Sequence, residues 1–312
     1  MSGMFDGALT TEGAGIATTA EFCVLASGSS GNCSVLAVTV NGVRRICLID
    51  LGLSPRRTRR LLHERGLDFH QVDDCLITHL DHDHFHQGWV SGTPHHAAMR
   101  LHTRHEARAG RFGLFGRPPR VFEQSFQLGC GATVQAMVAA HDEAGVVAFR
   151  IDLPGSAVGG AGGTRPASLG FATDLGHVTD GLIELMRGVD VLAIESNYCP
   201  TMQAESGRPW FLRQRIMGGS GHLSNHECLE AIHRIEPREH VVLLHLSREC
   251  NCPDLVASLH EGCDYTLTIT SQARPSRWVR IGRATVSNRG TVAPTPPTLP
   301  THASPPLATM PP

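Results

Sequence analysis

A run of imidazole and carboxylate side chains follows a short apolar segment near residue 80. The segment Cys75–Thr78 is strand-like, and the polar run begins directly after it and continues to Gly88. Neutral imidazoles and carboxylates are the ligands that borderline and hard divalent ions prefer. A loop that leaves a rigid strand can turn alternate side chains inward, so four residues can converge on a metal: His79, Asp81, Asp83 and His84. The spacing therefore predicts a metal site at the end of this strand.

Two alternatives stay open for this run. Its composition is also compatible with a solvated, histidine-rich surface loop. Within a metal site, His82 competes with Asp81 for the same ligand position, because the two residues are adjacent.

A centre with two ions needs more ligands than one loop supplies, because each ion takes three or more protein groups and keeps an open position. The missing ligands should lie at the ends of later strands. Three candidates directly follow apolar, strand-like segments: His141, Asp174 and His245. We expect these three side chains to meet the run that begins at His79.

Strand and helix patterns alternate along the chain, which predicts an α/β fold with sheets covered by helices. Strands are expected at Glu21–Ala26, Cys33–Val40, Val43–Asp50, Cys75–Thr78, Thr133–Ala139, Val146–Ile151, Ser168–Thr173, Val189–Glu195, Val241–Leu246 and Tyr265–Thr270. Helices are expected from Ser54 to about Gly66, over Thr179–Met186, from Ser224 to about Ile235, and over Pro253–His260. The Gly-rich segment Pro154–Pro166 is expected to be a loop.

One domain is expected over residues 21–286. Residues 1–20 are small and polar, so we expect them to be loose. Residues 287–312 are rich in Pro, Thr and Ala, and we expect a disordered tail.

The overall composition excludes several classes of protein. The net charge of −2 gives no general attraction to nucleic acid or membranes. No apolar run approaches the ~20 residues that span a bilayer, and no secretory signal is visible. The 10 cysteines are scattered and mostly lie in apolar runs, which is typical of reduced thiols in a cytoplasmic protein.

All 27 basic residues are arginine, and several of them cluster between residues 100 and 120. The cluster interleaves with Phe112 and Phe115 and consists of Arg100, Arg104, Arg108, Arg111, Arg117 and Arg120. Arginine and aromatic side chains together bind the backbone and bases of nucleic acid. This segment is therefore interpreted either as the lining of a nucleic-acid channel or as a surface insertion.

Taken together, these motifs resemble a known family. The run from His79 resembles the His-x-His-x-Asp-His motif of the metallo-β-lactamase fold superfamily, with Asp81 where that family usually has its second histidine. Shorter motifs resemble its WalJ/YycJ-like branch: SGSSGN at 27–32, LIDLG at 48–52, HD at 141–142, ESN at 195–197, GHLSN at 221–225 and HLS at 245–247. The resemblance spans Phe22–Thr270. It implies an αββα sandwich of two mixed sheets with helices outside, and a metal-dependent DNA exonuclease related to RNase Z.

The resemblance also implies a ligand set for two divalent ions. One ion would take His79, Asp81 and His141, the other would take Asp83, His84 and His245, and Asp174 would bridge them. Asp50 would orient a ligand histidine, although a role as a strand-end cap explains it as well. Because oxygen ligands favour iron or manganese over zinc, Asp81 predicts that Mn²⁺ or Fe²⁺ is at least as active as Zn²⁺.

Further residues are implied to act on the substrate. Asp83 and His222 would be the catalytic residues; His222 would contact the phosphate or protonate the leaving oxygen, unless it is only a structural contact beside the capped helix. A Gly-rich turn would offer backbone N–H groups to a phosphate, or serve only as a tight connection. The turn residues concerned are Ser29, Ser30 and Asn32.

The leading functional hypothesis is hydrolysis of a phosphodiester in nucleic acid, with DNA favoured, by a hydroxide that bridges the two ions. A first alternative is hydrolysis of a small ester, thioester or lactam on the same fold. A second is a non-hydrolytic diiron redox or metal-sensing protein, since flavodiiron proteins with this fold carry a carboxylate at the position of Asp81.

Overall fold

The computed structural model describes residues 18–114, 119–160 and 163–282, with the backbone alone for 156–160, 163 and 164. Its framework consists of two seven-stranded sheets. The first sheet, given in spatial order, contains β14 (Val279–Ile281), β1 (Thr18–Ala26), β2 (Cys33–Val40), β3 (Val43–Ile49), β4 (Val72–Leu76), β5 (Ala98–His102) and β6 (Arg120–Phe122).

The second sheet repeats this pattern with different segments of the chain. In spatial order it contains β13 (Thr266–Ile269), β12 (His240–Leu244), β11 (Val191–Glu195), β10 (Gly163–Ala172), β9 (Val146–Gly160), β8 (Thr133–Ala139) and β7 (Ser125–Gln127). Both sheets are mixed. β3 to β6 run parallel to one another, as do β10 to β13, whereas the remaining pairs are antiparallel.

Helices flank the two sheets. They are α1 (Pro55–Glu64), α2 (Trp89–Gly92), α3 (Glu106–Arg111), α4 (Asp180–Met186), α5 (Pro200–Glu205), α6 (Trp210–Arg215), α7 (Asn225–Ile235) and α8 (Pro253–Leu259). The capping box expected for α7 is present, because Ser224 and Glu227 each bond to the other's backbone N–H. Within the described residues, no helix combines the length and the apolar character needed to cross a membrane.

The central core lies between the two sheets. Phe22 of β1 meets Phe171 of β10 edge to face, with ring centroids 6.3 Å apart, and Phe149 of β9 belongs to the same buried cluster. Full burial of each such side chain contributes about 1.5–3 kcal/mol. Outer clusters pack Leu62 and Trp89 against the first sheet, and Ile232 among others against the second. The expected sandwich with helices outside is confirmed, and its packed core gives the site a rigid support.

Two expectations about local structure are corrected by the fold. The segment Pro154–Pro166 is not a loop, because β9 continues to Gly160 and pairs with β10 from Gly163 onward. Pairing between neighbouring strands satisfies the backbone groups there, whatever the glycine content. Residues 18–20, which were expected to be loose, belong to β1, which begins at Thr18. The expectations for residues 1–17 and for the tail 287–312 lie outside the described residues.

Candidate metal centre

The candidate ligands follow the carboxyl ends of strands that run in the same direction within each sheet. Asp50 follows β3, Asp174 comes two residues after β10, and His245 follows β12 directly. Parallel strands present their carboxyl ends at one edge of a sheet, which is where ligand sites of such sheets form. His141, two residues after β8, belongs to the same edge, because β8 and β10 both run antiparallel to β9.

Three of these strand-end residues have an unusual backbone. Asp50, Asp174 and His245 have φ angles of 62°, 52° and 55°, in the left-handed region. Asp and His enter this region more readily than most residues, but it is still uncommon. Such conformations persist where the surrounding structure imposes them, and they cluster at functional sites. The strained backbone positions and the candidate ligands therefore lie at the same edge of the sheets.

A first group of potential ligands is formed by His79, His141 and Asp174, all buried, with one donor atom of each lying within 4.8 Å of the others. The Nδ1 atom of His79 lies 3.0 Å from the hydroxyl of Thr78, and that of His141 lies 3.0 Å from the carbonyl of Gly221. These contacts leave the Nε2 atom of each ring for another partner.

A second group is formed by Asp83, His84 and His245, again with donor atoms within 4.8 Å of one another. The carboxylate of Asp83 lies 3.4 Å from Nε2 of His245 and 3.8 Å from Nε2 of His84. Asp174 reaches this group as well, since its two oxygens lie 2.9 Å from Nε2 of His84 and 3.1 Å from Nδ1 of His245. Asp174 is therefore placed between the two groups.

Asp50 contacts the ring of His84 directly and is linked to the ring of His79 through Thr78. Its carboxylate lies 2.7 Å from Nδ1 of His84 and accepts hydrogen bonds from the N–H and the hydroxyl of Thr78, each at 2.9 Å. The Thr78 hydroxyl in turn contacts His79. A carboxylate on the far nitrogen fixes the tautomer and orientation of an imidazole that binds metal. A strand-end cap alone does not account for the contact with His84.

The structure distinguishes Asp81 from its neighbour His82. One oxygen of Asp81 lies 3.8 Å from Nε2 of His79 and 3.8 Å from Nε2 of His141. The side chain of His82 is 90% exposed. Asp81 is therefore the residue that faces the imidazoles of His79 and His141, whereas the side chain of His82 is exposed.

Arg108 on α3 was not identified as a site residue from the sequence. Its guanidinium donates a 2.6 Å hydrogen bond to the second oxygen of Asp81 and lies 3.5 Å from the carboxylate of Asp142. A charged pair of this kind fixes the direction of the carboxylate. At least one arginine of the Arg-rich segment therefore lies at the site. Composition alone did not predict this contact.

The carboxylates of the pocket are ionised at neutral pH. The neighbouring imidazole of His141 is the main reason why the pKa of Asp81 lies below its usual range. Burial alone would raise the pKa of Asp83, but the neighbouring imidazoles of His245 and His84 lower it to about 2. Burial of Asp174 is likewise outweighed by His245 and His84, which hold its pKa well below the usual range. Three ionised carboxylates so close together, with Asp174 buried and Asp81 and Asp83 partly buried, need compensating positive charge.

The histidines divide into two classes. Burial and the neighbouring His84 keep the pKa of His79 well below its usual value, so this ring is neutral. Burial also acts on His84 and His245, but Asp174 and other carboxylates around them raise the pKa of both rings well above the usual value. Protons on these two rings compensate the negative charge of the carboxylates, and a bound cation can provide the same compensation.

His222 is paired with Glu195, a residue without an assigned role in the sequence analysis. Nδ1 of His222 lies 2.7 Å from a carboxylate oxygen of Glu195, and Nδ1 of His245 lies 3.2 Å from the same oxygen. The other oxygen accepts a hydrogen bond from the N–H of Leu175 at 2.7 Å. Glu195 is fully buried at the end of β11. Its position after an apolar strand is the same signal that identified Asp174 and His245, so the sequence did contain it.

The turn expected to bind phosphate is used differently from the prediction. The N–H of Ser30 donates to the side chain of Gln272, and the N–H of Asn32 donates to the carbonyl of Asp83. The Asn32 side chain is buried and lies 2.9 Å from Nε2 of His84. These two N–H groups are not free for a phosphate, because Gln272 and the loop that carries Asp83 already accept their hydrogen bonds. Ser29 alone of the three lines the cavity at the site.

Gly52 permits the close packing between the turn that contains Asn32 and the loop that carries Asp83. A Cβ atom there would lie 1.8 Å from the carbonyl oxygen of Asp83 and 2.6 Å from the N–H nitrogen of Asn32. The glycine of the motif at 48–52 is therefore explained by contact between two loops of the site.

A cavity of about 230 Å³ opens over the two ligand groups. Its lining includes the following residues: Ser29, Asp81, His82, Asp83, His141, Asp174, Leu212, Arg215, Ile216, Gly221, His222 and His245. A larger cavity, of about 1010 Å³, lies between α1 and residues 91–96 and contains none of the candidate ligands. The chemistry of the side chains, rather than cavity volume, identifies the smaller cavity as the site.

His105, which precedes α3, should make the stability of the folded protein depend on pH. Both of its ring nitrogens are buried without a hydrogen-bond partner among the described residues, and burial lowers its pKa to about 4. The unfolded chain takes up this proton near pH 6.5, so folding becomes less favourable as the pH falls from there toward 4. From pH 7 to pH 5 this residue should reduce the free energy of unfolding by about 2 kcal/mol, at about 1.4 kcal/mol per pH unit below 6.5.

Urea unfolding of the wild type and of His105→Phe at pH 7 and pH 5 measures this contribution. The variant should lose less stability on acidification than the wild type, whatever its stability at pH 7. An equal loss in both proteins would show that His105 is solvated or protonated in the folded state.

The comparisons with known proteins agree with this geometry. A family model described as a beta-lactamase superfamily domain matches residues 44–246, which include all seven candidate ligands from His79 to His245. The chain belongs to this superfamily. The family expected from the sequence motifs is therefore confirmed.

Individual relatives are similar over most of the chain. It is 26% identical over 268 residues to the exodeoxyribonuclease WalJ of Streptococcus pneumoniae, covering 80% of this chain and 94% of that protein. It is also 26% identical over 242 residues to the exodeoxyribonuclease YycJ of Bacillus anthracis, covering 75% of this chain and 85% of that protein. The crystal structure of Zn²⁺-bound PqqB from Methylobacterium extorquens has the same fold, with a TM-score of 0.60, 15% identity, and coverage of 83% of this chain and 99% of that chain.

The superfamily fold implies divalent metal ions, and the donor set of this chain fits them. The Nε2 atoms of His79 and His245 are buried and have no hydrogen-bond partner among the described residues. A buried polar atom left unpaired is unfavourable by about 1–3 kcal/mol, so native structures rarely keep one without a reason. Both atoms belong to the groups of potential ligands, and a cation is the partner that ionised carboxylates around them favour.

Proposed function

We propose that this chain is a phosphodiesterase that depends on two divalent metal ions and cleaves nucleic acid, with DNA as the preferred substrate. The position of Asp174 between the two ligand groups is the observation that carries the two-ion proposal. The names of the WalJ and YycJ relatives support the choice of DNA. The small net charge of −2 argues against broad nonspecific binding to nucleic acid and favours binding at the cavity.

Each ligand has a distinct place in this proposal. His79, Asp81 and His141 would hold one ion, and Asp83, His84 and His245 would hold the other, with Asp174 shared. Bound ions would supply Lewis-acid stabilisation of the phosphoryl oxygens and would lower the pKa of water toward 7. Asp50 and Thr78 would keep the rings of His84 and His79 in the orientation that leaves Nε2 for a metal ion.

The residues of the chain also provide a path for a proton. Glu195 accepts from Nδ1 of His222, so the ring presents its Nε2 atom on the other side, and the ring lines the cavity. His222 would then donate its proton to the leaving oxygen, while Glu195 holds the ring in position.

The assay that tests the proposal compares substrates in one metal-loaded preparation. End-labelled DNA, end-labelled RNA, bis(p-nitrophenyl) phosphate, a p-nitrophenyl carboxylic ester and a thioester are each incubated with Mn²⁺. We expect release of nucleotides from DNA faster than from RNA, turnover of the phosphodiester, and no comparable turnover of the carboxylic substrates. Rapid cleavage of the ester or thioester together with intact DNA would overturn the proposal in favour of a small-ester hydrolase.

The identity of the metal is predicted from Asp81. Because Arg108 fixes this carboxylate toward His79 and His141, the first ion would have a harder, more anionic ligand set than three imidazoles provide. Metal-stripped protein reloaded with Mn²⁺ or Fe²⁺ should be at least as active as protein reloaded with Zn²⁺, and Asp81→His should shift the preference toward Zn²⁺. Metal content is measured alongside activity. A clear preference of the wild type for Zn²⁺ in both measurements would contradict the prediction.

A further inference from the structure

Two aromatic side chains of α6 lie in solvent beside the cavity. Trp210 is 68% exposed and Phe211 is 69% exposed, the highest values among the large apolar residues that the structure describes. Buried in a core or an interface, rings of this size contribute some of the largest apolar areas of any side chain. Neighbouring exposed rings of this kind mark a surface that meets another molecule.

The same helix forms part of the wall of the active-site cavity. Leu212 and Arg215 both line it, together with His222 from beyond the following turn. Phe211 and Arg215 are four residues apart on α6, so they lie on one face of the helix, with Cβ atoms roughly 5–6 Å apart. A molecule seated on Phe211 therefore lies one helical turn from a cationic group at the mouth of the site.

The charges around this face suit an anionic ligand. Arg215 is exposed and has no carboxylate partner within the described part of the chain. Arg248, also exposed, donates to the hydroxyl of Ser30 at 3.1 Å, next to the cavity residue Ser29, and it too lacks a carboxylate partner in the ranges described. Arg208, by contrast, is neutralised by Glu249 at 3.0 Å. Two guanidinium groups are thus available at the rim of the cavity.

Aromatic rings beside unpaired arginines are the features with which proteins bind an unpaired nucleic-acid strand, because bases stack on the rings and phosphates contact the arginines. A duplex end keeps its bases stacked on each other, and an apolar protein or lipid partner would leave the two arginines without a counterpart. We propose that Trp210 and Phe211 form a stacking platform for the bases of an unpaired strand, whose backbone passes Arg215 and Arg248 into the cavity. This inference rests on the proposed phosphodiesterase function and specifies the form in which its substrate is held.

The test uses the specificity ratio, defined as kcat/KM for a single-stranded oligonucleotide divided by kcat/KM for bis(p-nitrophenyl) phosphate. In the double variant Trp210→Ala/Phe211→Ala we expect the ratio to fall about 10- to 100-fold, because stacking on two rings is lost. The matched control is Val43→Ala/Leu255→Ala, which removes two exposed apolar side chains from β3 and α8. The control should keep the wild-type ratio.

Two conservative variants separate stacking from simple apolar contact. Trp210→Tyr/Phe211→Tyr should keep most of the ratio, whereas Trp210→Leu/Phe211→Leu should lose it, since leucine retains apolar area but has no ring. A wild-type ratio in the leucine variant would overturn the platform. Arg215→Gln should also reduce the dependence of single-strand binding on salt, lowering the slope of log Kd against log salt concentration by about 0.7.

Other results would overturn the inference in distinguishable ways. A wild-type protein that cleaves DNA while the alanine double variant keeps its ratio would remove the platform and leave the proposed function standing. A wild-type protein that turns over bis(p-nitrophenyl) phosphate but cleaves no nucleic acid would remove both. Sedimentation that shows a dimer in the wild type and a monomer in the alanine double variant would assign the two rings to contact with a second copy of the chain.

Discussion

Asp174→Asn is expected to lower phosphodiester hydrolysis by about 10³-fold or more, because a shared ligand of two ions supplies several kcal/mol of charge stabilisation and each factor of ten is about 1.4 kcal/mol. The carboxylate of Asp174 reaches both sets of ligands: it lies within 4.8 Å of donor atoms of His79 and His141, and its oxygens lie 2.9 Å from His84 and 3.1 Å from His245. A neutral amide cannot compensate the charge of two cations. Bound metal should therefore fall below the wild-type content, as measured by elemental analysis of the purified protein.

Asparagine is the informative replacement because the backbone of Asp174 has a φ of 52°, a conformation that Asn adopts readily. The variant thus changes the charge without imposing a new backbone strain. Asp73→Asn is the matched control, since Asp73 is a partly exposed carboxylate on β4 that pairs with Arg45 outside the site. Wild-type metal content and activity in Asp174→Asn would show that Asp174 is not a ligand; a loss of the same size in the control would show that the loss is not specific.

His222→Ala is expected to reduce kcat for DNA by about 10²- to 10⁴-fold, the usual contribution of a general acid. The pair with Glu195, 2.7 Å away, directs the free nitrogen of the ring into the cavity. A leaving deoxyribose oxygen needs a proton, whereas p-nitrophenolate leaves without one. The same variant should therefore turn over bis(p-nitrophenyl) phosphate within about tenfold of the wild type, and it should keep its metal. Glu195→Gln should show the same pattern with a smaller loss.

His226→Ala serves as the control for this series, because His226 is exposed on α7 and outside the cavity. Steady-state kinetics on both substrates, with metal content determined for each variant, distinguishes the outcomes. Equal losses on DNA and on the p-nitrophenyl diester would contradict a role in protonating the leaving group. They would indicate that His222 acts on the phosphate or supports the metal ligands instead.

The positions of the candidate ligands were predictable because a simple physical rule relates them to sequence. An apolar run that ends in a polar residue marks the carboxyl end of a buried strand, and parallel strands bring such ends to one edge. His141, Asp174 and His245 each follow such a run, and the structure brings all three to the run that begins at His79. The strands themselves were also recognisable, since β2 and β8 have the expected bounds and α7 begins at the expected capping box.

The relations between side chains were not predictable, because they depend on which loops pack together. Nothing local to Arg108 indicates that it reaches Asp81, 27 residues earlier in the chain. Asn32 lies in a turn whose composition is typical of phosphate binding. Its side-chain amide instead donates to the carbonyl of Asp83 and contacts Nε2 of His84. The hairpin within Pro154–Pro166 was missed for a similar reason, since pairing between strands overrode a glycine-rich composition. Three-dimensional contacts also show that Asp81, and not the exposed His82, faces His79 and His141, which the sequence left open.

The most direct test of the central claim is anomalous diffraction from crystals of the metal-loaded protein, recorded at the absorption edge of the bound metal. Two peaks are expected. One should lie about 2.0–2.2 Å from ligand atoms of His79, Asp81 and His141, the other at the same distance from ligand atoms of Asp83, His84 and His245, with Asp174 contacting both. A single peak that Asp174 does not contact, or peaks remote from these residues, would contradict the account.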